Sequence, residues 1–113
     1  MTLAELKRRC EEQGFQYAYG VFEEPTEPPH LVAIIQDSNN YGADNKVYFK
    51  KDTCMLDYTF LYKDIEEQNK IENEILKDVY WEKTDETYID KEQVWQTSYF
   101  FELDNKEEDL DYV

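Results

Sequence analysis

The chain has 113 residues, of which 41% are hydrophobic and 16% aromatic, enough for one domain with a substantial core. Lys and Arg number 12 against 27 Asp and Glu, which gives a formal net charge of −15. Proteins that bind nucleic acids neutralise phosphates with Lys and Arg, so this charge argues against ordinary DNA or RNA binding. Three interpretations of the negative charge remain: a solvated acidic surface, a surface that mimics DNA, or a passage through which DNA slides without binding.

The first residues, MTLAELKRR, lack the apolar core of a signal peptide. No run reaches the roughly 18 apolar residues of a membrane span. We therefore expect a soluble, cytosolic protein. Cys10 and Cys54 have no short spacing and no neighbouring His, so they are predicted to be free, buried thiols rather than a zinc site.

A first helix is predicted from Thr2 to the region of Gly14. Thr2 and Glu5 have the spacing of a capping box, and Gly14 stands where a glycine commonly ends a helix. The apolar residues between them recur at helical spacing and form a narrow stripe: Leu3, Leu6 and Cys10.

Two strands are predicted next. Phe15–Phe22 alternates aromatic and smaller residues, as a strand does. A proline-rich link follows, and then the nearly continuous apolar run His30–Gln36, which indicates a central strand covered on both faces. No Asp, Ser or Cys partner lies near His30 in the sequence, so we expect a structural role for it.

The stretch Asp37–Lys63 is predicted to begin as a polar loop, Asp37–Lys46, and to become the longest strand of the sheet. Val, Thr and aromatic residues favour a strand in its second half. The alternation falters at Asp52–Cys54, where we expect a bend. The loop also carries Tyr41, a large aromatic that a plain turn does not need.

The second half of the chain predicts a helix and two strands. Asp64 is a suitable N-cap for the helix Asp64–Asp78. Its apolar side is interrupted by Gln68 and Glu72 and consists of Ile65, Ile71, Ile75, Leu76 and Val79.

The two closing strands are predicted at Val79–Lys83 and Glu92–Leu103. Asp85–Lys91 is predicted to connect them, with Tyr88 and Ile89 extending either strand or filling a gap. Alternate residues of the second strand share one face: Trp95, Thr97, Tyr99, Phe101 and Leu103. The sequence thus predicts a single α+β domain over residues 1–103, in the order α-β-β-β-α-β-β. The sheet is expected to be mostly antiparallel, with four to five strands and two helices packed on it. The acidic residues 104–113 are expected to form a disordered tail.

Motifs of enzymes are missing from the sequence. There is no nucleophile elbow, Gly-rich phosphate loop, zinc-protease motif or calcium loop, and the many carboxylates make any close pair of acids expected by chance. We therefore predict no catalytic residue, no cofactor and no metal, and favour a binding or assembly protein.

Three segments carry a family resemblance. The most specific is Asp37-Ser38-Asn39-Asn40-Tyr41 followed by Ala43-Asp44-Asn45-Lys46-Val47-Tyr48. The strand Leu56–Tyr62 before a charged helix agrees. So does the ending, with Tyr80-Trp81-Glu82-Lys83, Tyr88-Ile89, Val94-Trp95-Gln96 and Tyr99-Phe100-Phe101-Glu102-Leu103. Together these resemble small tail proteins of long-tailed phages and prophages of Gram-positive bacteria. Cys54, Met55 and the acidic tail depart from the pattern.

Such proteins resemble tail terminators, also called tail completion proteins. The resemblance implies an α+β subunit that closes into a hexameric ring, caps the tail tube, ends its polymerisation and offers a surface for head–tail joining. The implied partners are the tail-tube protein and the head–tail connector, with DNA passing through and no cofactor. The implied locations are the host bacterial cytoplasm during assembly and the virion tail, and the free protein is a monomer or a ring.

Ring building needs two different surfaces on each subunit, and aromatic residues are enriched at interfaces. The predicted interface residues are Tyr41, Asp44, Asn45, Lys46, Tyr48, Trp81 and Trp95. Two other functions stay open. One is an acidic DNA mimic or other inhibitor of a basic partner, built on the helix Glu66–Glu74 and the tail Asp104–Asp111. The other is a bacterial immunity or toxin-binding protein.

Overall fold

The computed structural model describes residues 1–43 and 46–105, with the side chains of 1–36 and 51–104. In chain order the elements are α1 (Leu3–Glu12), β1 (Gln16–Tyr19), β2 (His30–Ala43), β3 (Lys46–Phe60), α2 (Ile65–Asn69) continuing into a π-helical segment (Lys70–Ile75), β4 (Trp81–Lys83), β5 (Thr87–Ile89) and β6 (Val94–Asn105). The predicted α+β class with two helices is confirmed.

Helix α1 forms as its local sequence predicts. The Thr2 hydroxyl accepts the backbone N–H of Glu5 at 3.1 Å, which satisfies one orphan donor of the first turn. At the other end Gly14 has φ +84°. The N–H of Gly14 donates to the Glu11 carbonyl, and the N–H of Phe15 donates to the Cys10 carbonyl at 3.1 Å. This pair of bonds is a Schellman motif, and it turns the chain into β1.

The sheet is mixed, because β1 pairs with β2 in parallel while the other described pairings are antiparallel. It has six strands rather than the expected four to five. Its six strands follow the order β1-β2-β3-β6-β4, with β5 also paired to β6. β1 runs parallel to β2, and Gln16 lies opposite His30. Gly20, at φ +81°, ends β1, so the first strand is shorter than the predicted Phe15–Phe22. The proline-rich link then carries the chain back to the start of β2.

The predicted polar loop Asp37–Lys46 is wrong over most of its length. β2 continues through Ala43 and pairs antiparallel with β3 as far as Lys46, so the connection is a hairpin. The polar side chains of this stretch have low strand propensity, but pairing with a strand rich in aromatic and β-branched residues outweighs that preference.

The irregularity predicted at Asp52–Cys54 lies on the partner strand. The register shift between Ile35 and Asp37 of β2 stands directly opposite Cys54 and Thr53, and a second shift lies between Tyr41 and Gly42. Alternation continues through the stretch because Asp52 and Cys54 are both fully buried. The alternation of apolar and polar residues is broken in the sequence only because one of these buried positions, Asp52, carries a carboxylate.

The second helix contains a wide turn. It begins at Asp64, whose carboxylate accepts the N–H of Glu67 at 3.2 Å, as predicted. From Lys70 it becomes π-helical, and the N–H of Leu76 donates to the carbonyl of Ile71 at 2.9 Å. Because a π-helical turn brings residues five apart to the same side of the helix, Ile71 and Leu76 are both buried.

Two residues of this helix contradict the predicted apolar stripe. Ile65 is 65% exposed, and Gln68 is buried at 6%. The Gln68 amide donates to Glu86 at 3.0 Å. A partner from another segment thus satisfies the polar side chain that the sequence pattern treats as an interruption.

The closing strands form one edge of the sheet. β4 and β5 both pair with β6, at Phe101–Tyr99 and at Gln96–Val94 respectively. Between them, Thr84 exchanges backbone and hydroxyl hydrogen bonds with Thr97 and Ser98. The predicted connecting stretch thus contains a strand of its own. β6 reaches Asn105, two residues into the predicted tail, and residues 106–113 lie outside the described part.

Both helices pack on the same face of the sheet. This covered face carries Leu31 and Ala33 of β2 and alternate residues of β3 and β6, against Leu3, Leu6 and Cys10 of α1 and Ile71, Ile75 and Leu76 of the second helix. The predicted shared face of β6 is confirmed as the covered face, where Thr97, Tyr99, Phe101 and Leu103 are buried. Trp95, opposite the buried Phe60 at the end of this face, is 37% exposed. Cys10 and Cys54 are free and buried, as predicted. No helix within the described residues is long and apolar enough to cross a membrane.

An ion pair joins the ends of the two helices and makes stability depend on pH. The Arg9 guanidinium donates to both carboxylate oxygens of Asp78, at 2.8 and 2.9 Å, and to the Ile75 carbonyl at 3.0 Å. It lowers the pKa of Asp78 from 3.8 to about 2. A carboxylate with a lowered folded-state pKa contributes stability above about pH 4 and loses it as the pH falls toward 2.

We expect Asp78→Asn to flatten the loss of stability between pH 4 and 2, measured as the urea midpoint at each pH. Since Asp78 is 54% exposed, the effect is held below about 1 kcal/mol by solvent screening. Part of the acid dependence remains, because Arg8 and Arg9 also lower the pKa of Glu5 to about 2. The exposed Asp85→Asn serves as the matched control. If the urea midpoints of Asp78→Asn and the wild type fell equally between pH 4 and 2, the Arg9–Asp78 pair would not be a source of the acid dependence.

Candidate functional site

The β2–β3 hairpin extends beyond the rest of the sheet. β6 follows β3 only as far as Lys50, and β1 follows β2 only from His30 to Ala33. Among the described residues, the pairs from Tyr41–Phe49 to Ala43–Lys46 therefore have no third strand beside them. A rise of about 3.3 Å per residue makes the 15-residue β3 about 50 Å long. We call the described part of this two-stranded extension, residues 41–43 of β2 and 46–49 of β3, the hairpin arm.

The predicted interface residues of the polar stretch lie on this arm. Tyr41 belongs to β2, and Lys46 and Tyr48 belong to β3, so the structure brings their backbones together near the end of the hairpin. Asp44 and Asn45 lie outside the described residues.

The two tryptophans do not join this group. Trp81 lies on the edge strand β4 opposite Phe101, and its ring packs edge-on against Tyr99 at 5.4 Å. It is a partly buried residue packed on the core. Trp95 is opposite Phe60, at the far end of the sheet from the hairpin arm. The five predicted positions that the structure describes therefore mark three separate places.

Trp95 belongs to an exposed patch that the sequence analysis missed. Its ring contacts that of Tyr88 at 5.2 Å, and Leu61 and Tyr62 follow Phe60 directly, at the same end of the sheet. These four residues, here called the aromatic end, are exposed by 37% to 74%. The sequence predicts a connecting segment around Tyr88 and a strand through Leu61 and Tyr62, and neither pattern marks these residues as exposed.

The sheet face opposite the helices carries no helix layer among the described residues. This open face presents a row of apolar side chains across three strands, because Ile34 lies opposite Met55, and Met55 opposite Phe100. All three are half-buried. The next row is Val32, Asp57 and Ser98.

The proline-rich link covers one end of the open face. Residues of Gly20–Thr26 enclose a groove of about 520 Å³ whose floor is Val32, Ile34, Asp57, Thr59 and Gln96. His30 lines it, and the ring of Phe22 packs edge-on to the imidazole at 5.0 Å. Burial lowers the pKa of His30, so the imidazole is neutral near pH 7. Thr59 lies opposite it on β3 and Asp57 lines the same groove, so the structural role expected for His30 stays a prediction.

Carboxylates of the second helix face inward as well as outward. The Tyr58 hydroxyl donates to Glu67. The Tyr99 hydroxyl donates to Glu72 at 2.7 Å, and Lys83 reaches the same carboxylate oxygen of Glu72 at 2.9 Å. Burial raises the pKa of both tyrosines, so both phenols stay protonated and act as donors. Two of the acids of Glu66–Glu74 therefore hold the helix on the sheet.

Reactive groups are sparse in the described residues. No group of three or more His, Cys, Asp or Glu within 1–43 and 46–105 could hold a metal ion. Burial raises the pKa of the Cys54 thiol to about 12 and that of the Cys10 thiol above its usual value. Neither thiol supplies a thiolate near neutral pH. The other surface features of the described residues are the hairpin arm, the aromatic end and the open face.

Neither a protein-family model nor a curated protein matches this sequence.

Proposed function

We propose that the chain is a tail terminator of a long-tailed phage or prophage. In this proposal several copies close into a ring, cap the finished tail tube, end its polymerisation and present a surface to the head–tail connector. The protein acts in the host cytoplasm during assembly and then in the virion tail. The polar stretch and the aromatic ending that resemble this family motivate the proposal.

The hairpin arm is the observation that carries it. A two-stranded ribbon with no third strand beside it among the described residues is an unusual feature, since open strand edges invite pairing with other chains. An arm beyond the sheet reaches a neighbouring molecule without disturbing the core. Subunits that add to a tube end or to a ring make contacts of this kind.

A ring requires each subunit to meet its neighbour through two different surfaces. The hairpin arm and the aromatic end lie at opposite ends of β3 and so suit such a head-to-tail contact. Aromatic side chains supply large contact areas at little entropic cost. In the proposed ring, the arm of one copy meets the aromatic end of the next.

The charge supports the same proposal. A ring through which the genome passes must hold DNA weakly, and a subunit with net charge −15 repels phosphates. The competing DNA-mimic reading draws less support from the helix Glu66–Glu74, because Glu67 and Glu72 are turned to Tyr58 and Tyr99. A mimic needs its carboxylates outward and spaced like phosphates.

Replacing Tyr41 and Lys46 by Ala together is expected to reduce the yield of capped tails at least about tenfold, since central interface residues commonly contribute about 2 kcal/mol or more each. Capped tails are counted by electron microscopy after the variant replaces the wild-type gene in the phage. The exposed Tyr80→Ala is the matched control and leaves assembly unchanged. Normal numbers of capped tails with the double variant would rule out the hairpin arm as a contact.

Mass measurements at several concentrations, with and without the tail-tube protein encoded near this chain's gene, test the proposed ring itself. We expect either a hexamer alone or a hexamer formed on the tube end. A chain that stays monomeric and ignores the tube contradicts the proposal. An acidic inhibitor that mimics DNA would instead compete with DNA for a basic partner.

A further inference from the structure

We infer that the open face of the sheet docks a different protein whose contact surface is apolar at the centre and basic at the rim. This inference deepens the proposed function, since it says which kind of surface the tube or connector protein offers to the chain. It rests on that function only for the identity of the natural partner.

The centre of the open face is the apolar row Ile34, Met55 and Phe100. Adjacent strands lie about 4.8 Å apart, so the row spans about 10 Å across β2, β3 and β6. Val32 extends it in the next row. These side chains are half-buried, Val32 and Ile34 partly beneath the link Gly20–Thr26. Covering the area that remains exposed removes further apolar surface from water.

The rim of the row is acidic. Asp57 stands beside it in the row of Val32 and Ser98, and Glu102 stands on the other side, opposite Thr53. Glu82 of β4 lies opposite Phe100 and closes the row at the sheet edge. Carboxylates therefore surround the apolar row on three sides.

Lys51 is the single cation on this face among the strand positions whose side chains are described. Its ammonium lies 2.8 Å from Asp104 and 3.9 Å from Glu102, so nearby carboxylates already engage its charge. The rim keeps a negative potential that a basic partner complements.

The same charges argue against a second copy in face-to-face contact. A twofold contact would place Asp57, Glu82 and Glu102 of one copy against the same residues of the other, and juxtaposed like charges are unfavourable. The acidic residues 106–113 are disfavoured as occupants for the same reason. Copies in a ring are therefore expected to meet elsewhere, and the open face stays available to a partner.

The test uses methyl NMR of the full chain, titrated with a Lys/Leu amphipathic helical peptide and with its Glu/Leu counterpart at low salt. We expect the basic peptide to shift the methyl signals of Val32, Ile34 and Met55 more than those of the exposed Ile65, and the acidic peptide to shift none. Shifts centred on Ile65 or spread evenly over the surface would overturn the inference.

Two variants sharpen this test. Ile34→Glu with Phe100→Glu is expected to weaken binding of the basic peptide at least about tenfold, whereas Ile65→Glu changes it less than about twofold. Asp57→Lys with Glu102→Lys keeps the apolar row and is expected to reverse the preference toward the acidic peptide. An unchanged preference in this charge-reversed variant would contradict a basic partner even if the first double variant fails to fold.

The same titration with tail-tube protein separates the two proposals. If the basic peptide shifts the methyl signals of the open face but the chain caps no tubes, the result supports the inference and counts against the terminator. Capped tubes formed equally well by the charge-reversed variant and the wild type support the terminator and overturn the open face as its docking surface. Self-association lost on charge reversal shows that a second copy occupies the face, which also overturns the inference.

Discussion

Tyr99→Ala is expected to lower the free energy of unfolding by about 4 kcal/mol, the usual range for removing a buried aromatic ring. Tyr99 is fully buried, and its ring contacts Trp81 at 5.4 Å. Its hydroxyl donates to Glu72 at 2.7 Å, so it joins the sheet to the second helix. Since domains of this size are stable by about 5–15 kcal/mol, this one change removes a large part of the total. Urea denaturation measures it.

Tyr99→Phe separates the hydrogen bond from the ring. It keeps the packing and removes only the bond to the Glu72 carboxylate, so we expect a loss of about 1.5–3 kcal/mol. Lys83 still reaches that carboxylate, which favours the lower half of this range. The control Tyr80→Ala, at a residue 84% exposed, changes stability by less than about 0.5 kcal/mol. Equal stabilities of Tyr99→Phe and the wild type would show that the Tyr99–Glu72 bond holds nothing in place.

Leu56→Asp and Met55→Asp are expected to differ by several kcal/mol although they are adjacent on the central strand β3. Leu56 is fully buried on the covered face, where an unpaired carboxylate has neither water nor a partner. We expect that variant to unfold at 25 °C. Met55 lies on the open face, where a new carboxylate stays hydrated, and its replacement costs no more than about 1.5 kcal/mol.

Circular dichroism and urea midpoints of these two variants test the assignment of the faces. Comparable destabilisation by both would mean that a layer covers the open face within the chain itself. The surface inferred for a partner would then not exist in the free protein.

Local signals predicted the parts of the fold that depend on nearby residues. Thr2 and Gly14 determine the two ends of α1 through bonds to residues within five positions, and such contacts are visible in the sequence. The inward residues of β6 follow from their alternation. The parallel pairing of β1 with β2 was not predictable in this way, because pairing partners are set by the packing of the whole sheet.

The missed features have a common physical cause. The stretch from Asp37 looks like a loop because Asp, Ser and Asn favour turns, yet pairing with β3 holds it as a strand. Gln68 and Glu72 look like surface residues because their partners, Glu86 and Tyr99, are distant in sequence.

The interface candidates were only partly predictable. Tyr41, Lys46 and Tyr48 lie near the end of the hairpin arm. Trp81 packs on the core, because its ring meets Tyr99. Trp95 lies with Tyr88 at the other end of the sheet. Composition shows that aromatic residues are abundant, but only the fold decides which of them reach the surface.

Polymerisation of the purified tail-tube protein, with and without this chain, tests the proposed function most directly. Tube length is measured by electron microscopy as the chain is added in amounts far below those of the tube protein. A terminator that caps tube ends is expected to arrest growth at about one ring of copies per end and to appear as extra density there. Tubes that grow to the same length at every concentration, with no density from the chain at their ends, would contradict the proposal.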